Sequence, residues 1–123
     1  MDFELTDGQH RLVELADRMG REAFAPKAAR LDREHEYPHE NVEALRRAGL
    51  LGMTIPKRFG GPERPLIDAV LAIEQIAKHC GVTARIVVET NMGALGCIMA
   101  YGTEAQQRET AFIGGFPAGW DRR

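Results

Sequence analysis

Four kinds of side chain in this sequence could do chemistry: histidines, two cysteines, one Glu-x-x-His pair, and one carboxylate set among apolar residues. Glu36-Tyr37-Pro38-His39 has the spacing at which a helix offers carboxylate and imidazole to a carboxylate-bridged metal pair. Such centres need two of these pairs on facing helices. This chain has one, interrupted by Pro38, so a solvated loop is expected. His10, His35 and His79 have no ligand-spaced partner and read as surface or helix-end residues. Cys80 and Cys97 lie in apolar surroundings without zinc-finger spacing and read as two small core hydrophobes. The chain has no G-x-S-x-G, G-x-G-x-x-G or H-E-x-x-H motif and no phosphate-binding Gly loop. No catalytic, metal-ligating or cofactor-binding residue is therefore assigned.

Glu89 is the exception worth a sharper reading. It sits in Ile86-Val87-Val88-Glu89-Thr90-Asn91-Met92, a stretch otherwise fit for a core. An unpartnered buried carboxylate is costly, so it must be hydrogen-bonded, neutralised, or placed at a cavity wall. Asn91, Thr83 or a neighbouring helix could supply the hydrogen bond; a ligand-facing role is the alternative.

The elements that must position these residues are helical. Thr6 followed by Gln9 is a capping box, so a helix starts there. Leu12, Leu15, Ala16, Met19 and Ala23 recur at spacings of three and four and form its inward stripe. Pro26 predicts a kink, with continuation to about Arg33. Tyr37-Pro38 opens a second helix, with Pro in the first turn, and Gly49 stops it. Residues 50–65 read as an apolar extended segment and an irregular loop with no helix.

A third helix spans about Leu66 to Cys80. Its Ile67, Val70, Leu71, Ile73, Ile76 and Ala77 cover more than one face and predict packing on several sides. Val82 to Tyr101 predicts a dry central helix carrying Gly93 and Gly96, each costing about 1 kcal/mol unless a close helix or ligand approach offsets it. Gly102 ends that helix. Thr103 and Gln106 repeat the capping box, and a last helix runs to about Ile113. The expected fold class is all-α, an up-and-down bundle of about five helices. Residues 1–113 form the domain and 114–123 an irregular tail.

Bulk properties agree with one globular unit. The 123 residues are 44% hydrophobic and 28% charged, which argues against disorder. Net charge is −2 with Lys and Arg scattered, so nucleic acid is not an expected partner. The acidic start Met1-Asp2-Phe3-Glu4 has no basic segment before an apolar run, which leaves a cytoplasmic location as the default expectation. The stretch Ile86 to Ala100 falls short of the ~20 residues that cross a bilayer, so a buried helix and no membrane are expected.

Taken in order, the segments resemble the N-terminal domain of the acyl-CoA dehydrogenases. Phe3-Glu4-Leu5-Thr6 resembles the family's start, and Ala25-Pro26, Ala29 and Asp32 its first helix. Tyr37-Pro38 precedes Ala48-Gly49-Leu50-Leu51-Gly52 as it does there. Ile55-Pro56-Lys57-Arg58-Phe59-Gly60-Gly61 resembles the family's Pro-to-Gly-Gly loop, and Ala72-Ile73-Glu74-Gln75-Ile76-Ala77 its Glu-Glu-Leu-Ala helix. Tyr101-Gly102-Thr103-Glu104-Ala105-Gln106 matches its Gly-Thr-Glu-x-Gln turn.

The resemblance implies a flavoenzyme in which FAD lies between this domain, a middle β-domain and a C-terminal bundle. Those parts, acyl-CoA as substrate, and a homo-oligomer would be the partners. The implied reaction is α,β-dehydrogenation of an acyl-CoA thioester. This domain would supply a wall of the acyl cavity, with Ile86, Glu89, Thr90 and Gly93 facing the acyl tail. After Arg108 the family's pattern is lost, so a truncated or frame-altered reading of a longer gene, colourless and inactive alone, is expected. A non-enzymatic helical module is the competing class.

Overall fold

The computed structural model describes residues 3–115, and side chains through Ala111. Helices are the only regular elements among them, in five runs. The first run is α1, Asp7–Met19, a π turn at Gly20–Phe24, and α2, Ala25–Glu34. α3 is His39–Arg47 and α4 is Leu66–Ala77. α5, Gly81–Asn91, and α6, Ala94–Tyr101, make the fourth run, and α7, Glu104–Gly115, the fifth. The all-α bundle is as expected. α4 packs between α1 and α5; α5 also meets α2 and α3; α7 rests on α6.

Local chemistry sets the helix ends. Thr6 Oγ1 accepts from the Gln9 N–H at 3.2 Å, and Gln9 Oε1 accepts from the Thr6 N–H at 3.0 Å. The same reciprocal pair joins Thr103 and Gln106, at 2.9 and 3.3 Å. Gly49, at φ +73°, ends α3. There the Gly49 N–H donates to Arg46 O and the Leu50 N–H to Leu45 O, a Schellman pattern that satisfies two terminal carbonyls. Gly102 caps α6 as expected.

Three boundaries differ from the sequence reading. The disturbance near Pro26 is a π turn just upstream, where the Ala25 N–H reaches back to Gly20 O. Pro26 has no N–H for the carbonyl one turn behind it, and the wider turn absorbs the mismatch. Pro38 stands at the N-cap of α3 rather than in its first turn. A 3-10 turn at Lys57–Phe59 interrupts the segment expected to be wholly irregular. The last helix runs to Gly115, and the remainder of the expected tail, residues 116–123, lies outside the described residues.

The main core gathers Leu12, Ala16, Phe24, Leu45, Met53, Ile76 and Val87, among others, from α1 through α5. Two buried polar groups organise it. Asn41 Nδ2 donates to Thr83 Oγ1 at 2.9 Å, joining α3 to α5. Asn91 pins the extended segment: its Oδ1 accepts from the Met53 N–H at 2.7 Å, and its Nδ2 donates to Leu50 O at 3.0 Å. The segment is also held by backbone bonds, from the Arg64 N–H to Met53 O at 2.8 Å and from the Glu63 N–H to Ile55 O at 2.9 Å, and Asn91 satisfies groups that these leave open.

Burial departs from expectation in three places. α4 is packed between α1 and α5 but not all round, for Leu66, Ile67 and Val70 are exposed. The run Gly81–Tyr101 is not dry: only 28% of its most apolar 18-residue window is buried, and by length and composition it could cross a membrane. It also breaks at Met92 and Gly93 instead of running as one helix. Cys80 is a core residue, whereas Cys97 is exposed on α6. His79 stands at the end of α4, as expected, half-buried with its Nε2 2.9 Å from Asp17 Oδ1 and its ring over the bare Cα of Gly20. Periodicity marks apolar faces; it does not say which of them find a partner within the same 123 residues.

Candidate functional site

The four residues expected to face an acyl group, Ile86, Glu89, Thr90 and Gly93, are brought together along the last two turns of α5 and its junction with α6. Their spacing of three, four and seven places them on neighbouring helical rows. Ile86 is half-buried and packs against the main core. Thr90 turns its hydroxyl back on its own helix, donating to Ile86 O at 3.0 Å, so that hydroxyl is already satisfied.

Glu89 is bound on both carboxylate oxygens. Oε2 accepts from the Ala94 N–H at 3.0 Å, the first residue of α6, and Oε1 lies 2.5 Å from Arg85 Nη2. Neither Asn91 nor Thr83 is its partner: both are engaged with the extended segment and α3. Signals for the real partners were present in the sequence, since Arg85 and Glu89 are four apart and are the only charged residues from Gly81 to Tyr101. The Ala94 amide and then Arg85 hold the Glu89 carboxyl below its ordinary value. At neutral pH it is an ionised cap, not a proton carrier.

Gly93 is explained by the same contact. A Cβ there would collide with the Glu89 carboxylate. The close approach that offsets glycine's helix cost is therefore internal. Gly96, by contrast, faces open space, where a Cβ would meet nothing within 4 Å.

Two surface cavities, of about 180 and 240 Å³, lie elsewhere, and none of the four residues lines either. One of them borders the Glu36-to-His39 segment, in which Glu36 pairs with Arg30 and Tyr37 stacks edge-on with His39. Among the described residues no group of three or more His, Cys, Asp or Glu could hold a metal ion.

The helix order, the two capping boxes and the α5–α6 junction invite comparison with known proteins. The family described as "Acyl-CoA dehydrogenase, N-terminal domain" matches residues 6–111. This chain belongs to that family. It is similar to the 3-sulfinopropanoyl-CoA desulfinase of Paraburkholderia xenovorans (strain LB400), 50% identical over 109 residues, covering 89% of this chain and 28% of the relative. It is also similar to the acryloyl-CoA reductase (NADH) of Anaerotignum propionicum, 37% identical over 110 residues, 89% of this chain and 27% of the relative. Among solved structures, butyryl-CoA dehydrogenase from Megasphaera elsdenii superposes with a TM-score of 0.80 at 28% identity, covering 94% of this chain and 32% of that one. The chain thus spans less than a third of the length of these relatives.

Proposed function

We propose that this chain is the acyl-facing helical domain of an enzyme acting on a short-chain acyl-CoA thioester, of the kind represented by 3-sulfinopropanoyl-CoA desulfinase. The supporting observation is the 50% identity to such an enzyme across 89% of the chain. The reductase and butyryl-CoA dehydrogenase likenesses agree on a short acyl group. They also keep α,β-dehydrogenation as the second reading of the reaction.

In this account the Ile86 side chain, the Thr90 methyl and the open side of Gly96 border the acyl group, and Glu89 and Gly93 fix the angle between the two wall helices. In this reading Glu89 serves the wall through its two internal partners, the Ala94 amide and Arg85, rather than as a reacting group. The reaction groups come from the domains or chains that complete the enzyme. The exposed Leu66, Ile67 and Val70 are suited to lie beneath such a neighbour.

FAD is the cofactor this reading carries by family. Neither of the two cavities described above has room for a dinucleotide, and the sequence carries no Gly-rich phosphate loop.

The test joins residues 1–111 to the remaining domains of the Paraburkholderia relative and assays release of sulfite from 3-sulfinopropanoyl-CoA beside oxidation of butyryl-CoA. Turnover of the sulfinate substrate is expected. A folded, flavin-loaded chimaera inert on every short acyl-CoA overturns the proposal, and one that only oxidises butyryl-CoA favours the dehydrogenase reading.

A further inference from the structure

The larger cavity, about 240 Å³, lies between the start of α1 and the end of α3. It shares no lining residue with the α5–α6 wall. Its lining is Leu12, Leu15, Ala48 and Leu50, with Gly8 and two guanidiniums, Arg11 and Arg64, and no carboxylate. Leu12 and Leu50 are buried, so the lining includes part of the protein's core.

The two guanidiniums are placed differently. Arg64 is held by Nε, which donates to Asp68 Oδ2 at 2.9 Å; Asp68, only 5% exposed, is fixed in turn by Gln9 Nε2 at 3.1 Å. Gln9 is the residue that closes the α1 capping box. The chain from Thr6 through Gln9 and Asp68 therefore orients Arg64 and leaves both of its terminal nitrogens without a partner among the described residues. Arg11 has no hydrogen-bond or ion-pair partner there either. It folds back along α1, its Nη2 3.9 Å from where a Cβ on Gly8 would stand.

A buried carboxylate that orients one guanidinium, a second unpaired guanidinium, and an apolar lining together match an anion with a short aliphatic body. We propose that this cleft binds a short-chain monocarboxylate, the carboxylate forked by Arg64 and Arg11 and the tail on Leu12, Leu15 and Leu50. Apolar contact alone would accept an alcohol of the same length equally well, and charge alone would ignore the tail.

The test titrates the ¹⁵N-labelled chain with sodium butyrate at constant ionic strength and follows the amides of Gly8, Leu12 and Leu50, with n-butanol as the uncharged control. Saturable shifts are expected with butyrate, little response to butanol, and roughly tenfold weaker binding in Arg11→Gln. Arg11 is exposed, so that variant keeps the fold; Arg64→Gln provides the second arm with the same expected loss. The proposal is overturned by shifts that never saturate, by butanol binding as tightly as butyrate, or by unchanged affinity in Arg11→Gln.

Discussion

The carboxylate of Glu89 occupies the space that any side chain at position 93 would need, so Gly93 and Glu89 form one unit. That unit ends α5, starts α6 and sets the bend between them. Gly93→Ala is expected to cost about 1–3 kcal/mol, well above zero for a nominally helix-favouring change. Glu89→Ala should remove much of that penalty. Urea unfolding of the two single variants and the double variant measures it, and simple additivity would show that the two residues are independent.

Asn91 satisfies the Met53 N–H and the Leu50 carbonyl from within the core. Asn91→Leu preserves approximate volume and leaves both backbone groups unpaired. The expected cost is about 2–5 kcal/mol, read from the denaturation midpoint. Hydrogen exchange should accelerate first at Met53, because its amide has lost its acceptor.

The two sides of α4 should respond differently. Ile76→Ala, at a residue with no exposure, is expected to cost about 2–5 kcal/mol. Ile67→Gln, at a residue 50% exposed, should stay within about 0.5 kcal/mol in the isolated chain and raise its solubility. A large loss at Ile67 would mean that this face is covered in the isolated chain.

Acid should weaken the fold through surface carboxylates. The Arg46 hydrogen bonds, ahead of Arg47, hold Glu43 down from 4.5 to about 2. Asp17 is lowered by His79 and Glu40 by Lys27. A lowered folded-state value means that stability is present above the unfolded value and lost as pH falls through the folded one. The urea midpoint is therefore expected to fall between pH 4.5 and about 2. Glu43→Gln should make that fall shallower, whereas an unchanged slope would remove Glu43 from the acid response.

What the sequence disclosed and what it withheld divide by range. Thr6 with Gln9, Thr103 with Gln106, and Gly49 are local signals, because a cap is made by residues three or four apart. Asn91 reaching Met53 and His79 reaching Asp17 depend on how helices meet, and no spacing encodes that. The apolar stripe on α4 was legible, but not its exposure, because periodicity carries no information about whether the partner surface lies within these 123 residues. At the candidate wall, the choice of Ile86, Glu89, Thr90 and Gly93 came from the resemblance to the family, and helical spacing says only that they lie near one another. The capture of Glu89 by the Ala94 amide was not legible, since the break at Met92 and Gly93 was read as continuous helix.

The most direct measurement of the wall assignment is the acyl-chain preference of the chimaera carrying Thr90→Phe or Ile86→Phe. With the outward face of α5 bordering the acyl group, the larger ring should lower kcat/KM for butyryl-CoA more than for propanoyl-CoA, by roughly tenfold in the ratio. Equal kcat/KM ratios in the parent chimaera and both variants, with flavin content unchanged, would contradict it.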